Sequence, residues 1–321
     1  MARSRSSRLA ALSIAGSLSA AMAILPSAPG GAESRNDEGI KVTNCNVAGR
    51  GSLADAVAGA RSGSTITITA SCSSDNPITP AAVIPIDTSL TIKASRSERA
   101  VISGGTTHGI FTVAPGAVVS LEGLTLRDGS STSFAVGEAG GAIHSAGTLN
   151  LTNDVFVNNV GIIGAAIATT GPLTVDRCTF GAGFAFLGSS IIASGANVRI
   201  SNSEISDNRA IIGTLLVLGG SLTLRHSVVT RNVAYGIYGG IVAAVNPQDP
   251  VNSLTVSDST ISNNQGGDFG GGLFIGDGMA ATIEGSTIAN NTAIDGAGID
   301  NSNATLTIRD SVFSGNSAIG A

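Results

Sequence analysis

The stretch LTIRDSVFSGN at residues 306–316 is the last of seven similar copies in the chain. Successive copies start 24, 25, 24, 32, 27 and 25 residues apart. A period in this range is typical of stacked repeats, in which each unit buries its apolar side against the previous one. We therefore expect one elongated domain beyond about residue 80. The other copies are LNLTNDVFVNN from Leu149, LTVDRCTFGAG from Leu173, VRISNSEISDN from Val198, LTLRHSVVTRN from Leu222, LTVSDSTISNN from Leu254 and ATIEGSTIANN from Ala281.

Apolar and polar residues alternate inside each copy, as in Leu306, Thr307 and Ile308, and a second alternating run follows at 311–314. A period of two predicts strands. A third segment recurs about ten residues before the next copy, except that the interval is longer before Leu254. Its copies are GGAI at 140, GAAI at 164, GSSI at 188, GTLL at 213, GGIV at 239, GGLF at 271 and GAGI at 296. Three short strands per coil predict an all-β, right-handed parallel β-helix of about nine coils, with the handedness taken from the rule for parallel crossovers.

The eleventh position of each copy is asparagine in six of seven copies, with Gly183 as the exception. Asparagine and glycine readily accept positive φ, so we expect every coil to turn at this position. Stacked amides can also hydrogen-bond along the tube, which predicts an asparagine ladder. The ladder residues are Asn159, Asn208, Asn232, Asn264, Asn291 and Asn316.

The coils pair the glycine-rich segment with an F-x-x-N segment, intact at 156–159 and 313–316 and relaxed to Ile or Val elsewhere. The glycine-rich segment is intact as GGAI only at 140–143. Over residues 119–321 this pairing resembles the repeats of the chlamydial-type polymorphic outer-membrane proteins and of related bacterial surface β-helices. The resemblance implies surface exposure and adhesion, and it assigns no binding residue.

Residues 1–32 resemble a secretory signal peptide. Arg3, Arg5 and Arg8 precede an apolar stretch of small residues at 9–25, and cleavage is expected after Ala32. A transmembrane anchor is the competing interpretation. No later stretch is long and apolar enough to span a membrane. We therefore expect a secreted or cell-surface protein.

Composition agrees with a thin solenoid, since 43 of 321 residues are glycine, aromatic residues make up 3% and tryptophan is absent. The net charge of −5 is mild, so neither nucleic acid nor an anionic membrane is an expected partner.

Residues 33–80 are expected to cap the tube at its N-terminus, and residues 81–321 to form the β-helix. The segment GSLADAVAGAR at 51–61 predicts a short helix, with a serine able to cap it and Asp55 in its first turn. This segment is similar to the G-S-L-R-E-A-I cap found before bacterial β-helices. A cap is needed because the first coil would otherwise expose its apolar end.

Two of the three cysteines, Cys45 and Cys72, flank the predicted helix and the strand after it. In an exported chain such a pair predicts a disulfide, with two free thiols as the alternative. Cys178 occupies a position that is serine in five other copies, so it is expected to be a small stacking residue rather than a nucleophile.

The outer face gives no clear catalytic signal. The fourth position of the copies carries Thr, Asp, Ser, Arg, Ser, Glu and Arg in turn, and the fifth position is similarly mixed. Lyases and hydrolases on such tubes need clustered carboxylates. We expect a non-catalytic scaffold that presents a binding surface for adhesion or glycans, with a polysaccharide lyase or glycoside hydrolase as the alternative.

Candidate ligand-binding residues lie in the lengthened coil, which holds the chain's two tyrosines, Tyr235 and Tyr238, and an NPQDPVNS segment at 246–253 that includes Asp249. Exposed tyrosines on such a loop can stack on sugars, and a plain surface insertion is the alternative. Asp268 and Asp295 are expected at one place in consecutive coils, where they either face solvent or bind calcium. No other cofactor is expected.

The last residues, AIGA at 318–321, stand where the next glycine-rich strand is expected. The C-terminal end of the tube is therefore expected to lack a cap. Further coils or a docking partner would cover such an end.

Overall fold

The computed structural model describes residues 39–95, 98–132, 139–245 and 252–320. The predicted signal peptide at 1–32 and the candidate ligand residue Asp249 lie outside these ranges.

The described chain is built almost entirely from short strands. In the N-terminal part the elements are the strand β1 (Ile40–Val42), the helix α1 (Leu53–Ala58) and the strands β2 (Ser64–Ile68), β3 (Ile84–Ile86), β4 (Leu90–Ala94), β5 (Ala100–Ser103), β6 (Phe111–Val113), β7 (Val118–Glu122), β8 (Leu124–Arg127) and β9 (Ser130–Ser131). The middle part contains β10 (Ile143–Ser145), β11 (Thr148–Thr152), β12 (Val155–Val157), β13 (Val160–Ile163), β14 (Ile167–Thr169), β15 (Leu173–Asp176), β16 (Thr179–Gly181), β17 (Phe184–Leu187), β18 (Ile191–Ser201), β19 (Glu204–Ser206), β20 (Arg209–Ile212), β21 (Leu215–Arg225) and β22 (Val228–Thr230). The C-terminal part contains β23 (Val233–Ala234), β24 (Ile241–Ala244), β25 (Asn252–Ser257), β26 (Thr260–Ser262), β27 (Leu273–Ile275), β28 (Ala280–Glu284), β29 (Thr287–Ala289), β30 (Thr292–Ala293), β31 (Ile299–Asn301), β32 (Thr305–Arg309), β33 (Val312–Ser314) and β34 (Ser317–Ala318).

Neighbouring strands are parallel, and each pairs with its counterpart one coil away, so the chain winds into a solenoid of about ten turns. This confirms the predicted fold class. The first residues of the seven copies are in register along one sheet: Leu149, Leu173, Val198, Leu222, Leu254, Ala281 and Leu306. The alternating pattern sets this register, because a slip of one residue would turn every apolar side chain outward.

Several coils contain an additional strand that was not predicted. The glycine-rich segment and the first strand of the copy both belong to an 18-stranded sheet, and the second strand of the copy belongs to a 9-stranded sheet. The additional strand follows the ladder position and forms a 5-stranded sheet of β9, β13, β17, β20 and β23. These strands are short and carry small residues on their inner side, such as Ala185 and Ala210, so their alternation is hard to recognise in the sequence.

The core is the interior of the tube, where inward side chains of successive coils stack on one another. Phe156 and Phe180 stack with ring centroids 4.7 Å apart and an angle of 4° between their planes. The small inner residues elsewhere let the sheets approach closely.

The turn after the second strand differs from the prediction in one respect. Positive φ is found one residue before the ladder asparagine, as in Asp207 with φ of 58° and Asn263 with φ of 56°. The preceding residue can take this conformation because its side chain points to solvent, whereas the ladder side chain must point inward. The fifth position of the copies also has positive φ, as in Asn202 and Asp258, so it forms a turn rather than part of a sheet face.

The ladder asparagines lie in single file inside the tube. From Asn208 to Asn291, the backbone N–H and the Nδ2 of each ladder asparagine donate to the Oδ1 of the next one at 2.9–3.1 Å, and each Nδ2 also donates to a backbone carbonyl. The file is interrupted at Gly183, where a Cβ atom would lie 2.5 Å from the Ser189 carbonyl oxygen. The ladder therefore satisfies buried backbone groups at a turn that sheet pairing leaves open.

The N-terminal end carries the predicted helix. Ser52 caps α1, with its Oγ accepting the Asp55 N–H at 3.2 Å. The strand β2 is already paired in register with β4, and β1 is paired with β2. Strands of the predicted cap at residues 33–80 therefore stack in register on a strand of the predicted β-helix, and the boundary near residue 80 stays a prediction.

Cys45 and Cys72 are joined by a disulfide with a Cα–Cα distance of 5.6 Å, across a sequence separation of 27 residues. Replacing both with serine is expected to lower the free energy of unfolding by about 3 kcal/mol, because the bond restricts the unfolded chain. Urea unfolding followed by circular dichroism measures this. Cys178→Ser is the control, since serine fills the same position in other coils, and equal midpoints for both variants would contradict the prediction.

Candidate functional site

A second hydrophobic cluster lies on the outer side of the tube. One residue of each glycine-rich strand faces outward, and in five consecutive coils this residue is apolar. These residues are Ala168, Ile192, Leu216, Val242 and Phe274. The buried members are Ala139, Ala168, Ile192, Leu216 and Val242, and Ile163, Leu187, Leu218, Tyr238 and Phe274 pack against them. We call this set the outer apolar cluster. The sequence analysis missed it, although segments such as LLVL at 215–218 are apolar on both faces, which indicates a strand covered on both sides.

Aromatic rings cover one end of the outer apolar cluster. The rings of Tyr238 and Phe274 have centroids 4.1 Å apart, and those of Tyr238 and Phe269 are 6.3 Å apart. Tyr238 and Phe269 are paired across adjacent coils, which brings their rings together. Tyr238, one of the candidate ligand residues, is therefore partly buried in packing against its neighbours.

Tyr235, the other candidate, is 58% exposed and precedes Tyr238 by three residues in the same coil. It follows β23, and its N–H donates to the Ala210 carbonyl oxygen at 2.9 Å, which holds its backbone in the stack. Two residues earlier, Val233 is paired with Arg209 on one side and with Gln265 on the other. The exposed tyrosine thus has a cationic and an amide side chain placed on the coils to either side.

The 5-stranded sheet continues this surface with more exposed aromatic residues. Phe184 and Phe186 on β17 are 47% and 49% exposed. Val160, paired with Phe184, is 43% exposed. Sequence reasoning did not single these residues out, because the strand that carries them was not predicted.

Asp268 and Asp295 do not occupy one place in consecutive coils. Phe269 is paired with Asp295, so the two aspartates are offset by one residue, and that prediction is wrong. Gln265 pairs with Thr292, which is 27 residues later, whereas Phe269 pairs with Asp295, which is only 26 residues later. The segment from Gln265 to Phe269 therefore holds one residue more than the corresponding segment of the next coil. The calcium hypothesis was based on alignment of Asp268 with Asp295, and the structure does not show that alignment. Among the described residues, no group of three or more His, Cys, Asp or Glu side chains could hold a metal ion.

Charged side chains on the outer face interleave along the tube. The fourth position of the copies forms one column of Thr152, Asp176, Ser201, Arg225, Ser257, Glu284 and Arg309. Hydrogen bonds join neighbours in adjacent coils, such as Arg225 Nε to Ser257 Oγ at 3.1 Å. Because the column mixes positive, negative and neutral side chains, its residues can form hydrogen bonds between adjacent coils.

Ion pairs lie at the corner between sheets. Arg231 Nη2 is 2.8 Å from Asp207 Oδ2 and 3.7 Å from Glu204 Oε1. The hydrogen bonds from Arg231 lower the pKa of Asp207, and a hydrogen bond from Asn202 lowers the pKa of Asp176. These carboxylates stay ionised at neutral pH, so they are not suited to donate a proton as a general acid. The enzyme alternative stays a prediction without an assigned residue.

Cys178 is buried between coils. Its N–H donates to Ser203 Oγ at 3.0 Å, and its Sγ accepts the Asp154 N–H at 3.4 Å. Burial, together with the nearby Asp154 carboxyl, raises the pKa of the thiol to about 12. A neutral buried thiol is not a nucleophile. Asp154 is itself fully buried and was missed in the sequence, where it stands in the position that is serine in later copies.

At the C-terminal end, large apolar side chains of the last coil are exposed, including Val312 at 56% and Ile319 at 71%. The expected docking partner or further coils stay a prediction. No helix in the described part of the chain has the length and apolar character needed to cross a membrane.

The comparisons agree with this geometry. A family model described as a right handed beta helix region matches residues 188–321, which covers the coils around Tyr235 and Phe274. A search of curated proteins found no match. The matched region and the stacked parallel sheets together support a right-handed parallel β-helix fold.

Proposed function

We propose that the chain is an exported, non-catalytic β-helix scaffold that binds carbohydrate at the aromatic surface around Tyr235. The observation that carries the proposal is an exposed tyrosine three residues before Tyr238, whose ring packs on those of Phe269 and Phe274. Aromatic faces bind the C–H faces of sugars, and such rings lose little entropy when they are held in place.

The backbone under this surface supports recognition. Tyr235 and Gly236 both donate their N–H groups to the coil below, to Ala210 and Ile211, at 2.9 Å. Packing among the aromatic rings and the outer apolar cluster fixes the positions of the neighbouring coils. A preorganised surface loses less free energy on binding than a mobile loop does.

Polar side chains around the ring supply the hydrogen bonds that a sugar needs. Arg209 and Gln265 are exposed on the coils to either side, and Asp268 is exposed on the second of these coils. They offer a cationic donor, an amide and an acceptor on the two coils adjacent to that of Tyr235. Few polar groups around an aromatic platform are typical of ligand sites.

Export is part of the proposal and rests on the arginines and the apolar stretch of residues 1–32. The disulfide between Cys45 and Cys72 supports it, since such bonds persist in oxidising compartments.

Tyr235→Ala is expected to weaken binding at least about tenfold, equivalent to about 1.4 kcal/mol, because the stacking surface is removed. A glycan array identifies a ligand, and isothermal titration calorimetry with that glycan measures the affinity. Tyr235→Phe keeps the ring and is expected to retain most of the affinity.

Val118→Ala is the control for this test, since Val118 is 46% exposed on β7, which belongs to a different sheet. It is expected to bind as the unchanged protein does. The proposal fails if no glycan binds, or if Tyr235→Ala and Val118→Ala have the same affinity.

A further inference from the structure

The outer face of the 5-stranded sheet is an exposed apolar surface. Phe184 and Phe186 on β17 and Val160 on β13 are all exposed to solvent. Ala185, which lies between the two phenylalanines, is fully buried, so both rings stand on the outer side of the sheet. Single apolar residues are common on protein surfaces, but a contiguous exposed apolar patch marks an interaction site.

A first column of outward residues runs along the tube at the start of these strands. Each of its members is paired with the next across adjacent coils. Five coil spacings of about 4.8 Å separate its two ends, which gives a length of about 24 Å. In chain order the column consists of Ser130, Val160, Phe184, Arg209, Val233 and Gln265.

A second column lies two residues later on the same strands. The register of β17 with its two neighbours places Phe186 between Ile162 and Ile211. The Tyr235 N–H donates to the Ala210 carbonyl oxygen at 2.9 Å, which places Tyr235 beside Ile211. The second column is therefore apolar or aromatic throughout.

Arg209 is the one charged residue in these two columns, and it lies between Phe184 and Val233. Its side chain is exposed and forms no ion pair or side-chain hydrogen bond within the described part of the chain. Arg231, by contrast, is 2.8 Å from the Asp207 carboxylate. The guanidinium of Arg209 is thus free to contact a group from another molecule.

We propose that this face binds a second copy of the chain, in an antiparallel dimer whose two-fold axis runs along the strands, between the coils of Phe184 and Arg209. Such an axis places each column against the same column of the second copy and reverses its order. The facing pairs are Phe184 with Arg209, Val160 with Val233, Ser130 with Gln265, Phe186 with Ile211 and Ile162 with Tyr235.

The facing pairs match in chemistry. Apolar residues face apolar or aromatic residues, and each Arg209 guanidinium lies over a Phe184 ring of the other copy, where the negative face of the ring attracts the cation. Ser130 and Gln265 place polar groups at both ends, as in the polar rim of an ordinary interface. A two-fold axis along the tube would instead put Arg209 against Arg209, and the like charges would oppose that dimer.

The size of the face suits a weak, reversible dimer. The half-exposed rings of Phe184, Phe186 and Tyr235 offer about 300 Å² for burial. A stable interface buries about 800 Å² on each partner, so the remaining residues of the six coils must supply the rest. We expect a dissociation constant of about 10 µM, which is typical of a small interface.

Tyr235 faces the second copy in this dimer, so a bound glycan and the second copy would compete for its ring. The monomer is then the form that binds carbohydrate. Dimerisation can be measured without any glycan, and a chain that stays monomeric would leave the carbohydrate proposal intact.

Sedimentation equilibrium of the purified chain at about 1–200 µM tests the dimer. The unchanged protein is expected to pass from monomer to dimer over this range. Phe184→Arg is expected to weaken the dimer at least about a hundredfold, because guanidinium groups then face each other twice across the axis. Adding Arg209→Glu to Phe184→Arg pairs opposite charges across the axis and is expected to restore dimerisation.

Val228→Arg is the matched control, since Val228 is 38% exposed on β22, which belongs to the 9-stranded sheet. It is expected to dimerise as the unchanged protein does. The proposal is overturned if the unchanged protein stays monomeric, if Phe184→Arg and Val228→Arg have the same effect, or if the double variant stays monomeric.

Circular dichroism verifies that each variant is folded. If Phe184→Arg does not fold, Arg209→Ala decides the question, because the exposed Arg209 side chain has no partner in the described part of the chain to lose. Arg209→Ala is expected to weaken the dimer about fivefold, through loss of the contact with the Phe184 ring. An unchanged dissociation constant in that variant overturns the proposed dimer.

Discussion

Asn232→Ala is expected to lower the free energy of unfolding by about 4 kcal/mol, because one side chain makes four hydrogen bonds in the middle of the ladder. Its Oδ1 accepts the N–H and the Nδ2 of Asn208, both at 3.0 Å. Its Nδ2 donates to the Ile205 carbonyl oxygen at 2.9 Å and to Asn264 Oδ1 at 3.0 Å. Alanine leaves the Asn208 N–H buried without an acceptor, and an unmet buried donor costs more than an ordinary hydrogen bond contributes.

Urea unfolding measures this loss, with Asn150→Ala as the control. Asn150 lies in the middle of β11 on the outward side and is expected to change the stability by less than about 0.5 kcal/mol. Asn232→Leu keeps the volume of the side chain but not its hydrogen bonds. If Asn232→Leu is as stable as the unchanged protein, the ladder stabilises by packing alone, and the hydrogen-bond explanation is wrong.

The repeat and its register could be predicted because they depend on local patterns. In the copy from Leu222, the apolar residues at positions one and three and the asparagine at position eleven all face inward. Each such position makes the same kind of contact in nearly every coil, with Gly183 as the exception, so the seven copies all indicate one structure. The register from Leu149 to Leu306 follows from this agreement.

The corners could not be predicted with the same precision. Between Gln265 and Phe269 the coil gains one residue relative to the next coil, and nothing in the glycine-rich sequence shows which turn holds it. The sequence analysis also expected positive φ at the ladder asparagine itself, one residue later than the structure has it. Asparagine is suited both to the turn and to the ladder, and only the structure shows which role each residue has.

The candidate binding surface depends on contacts between distant residues. Tyr235 was singled out because tyrosine is rare in the chain, but Phe269 and Phe274 come from the next coil, and Phe184 comes from two coils before. Asp154 could have been found, since it is the acidic residue in a column of serines. Its consequence depends on burial, which the aligned copies do not show.

Gly171→Ala is expected to destabilise the protein by about 3 kcal/mol, because a methyl group at this position has no space between two coils. A Cβ atom would overlap the Gly147 carbonyl oxygen and lie 3.0 Å from the Ala146 carbonyl oxygen. Neither backbone atom can move away easily. Ala146 and Thr170 both donate their N–H groups at 2.9 Å to the coil before them, so the spacing of the coils is held on both sides.

Gly181→Ala is the matched control, because both glycines lack a positive φ and differ mainly in the space around them. At Gly181 the nearest atom to a Cβ would be the Ser206 carbonyl oxygen at 3.4 Å, an ordinary contact. Alanine there is expected to be neutral or slightly stabilising, because it restricts the unfolded chain. Thermal unfolding of the two variants separates these effects. Equal melting temperatures would mean that neighbouring coils can move apart to admit a methyl group, and a tube that yields so easily could not hold the Tyr235 surface rigid for binding.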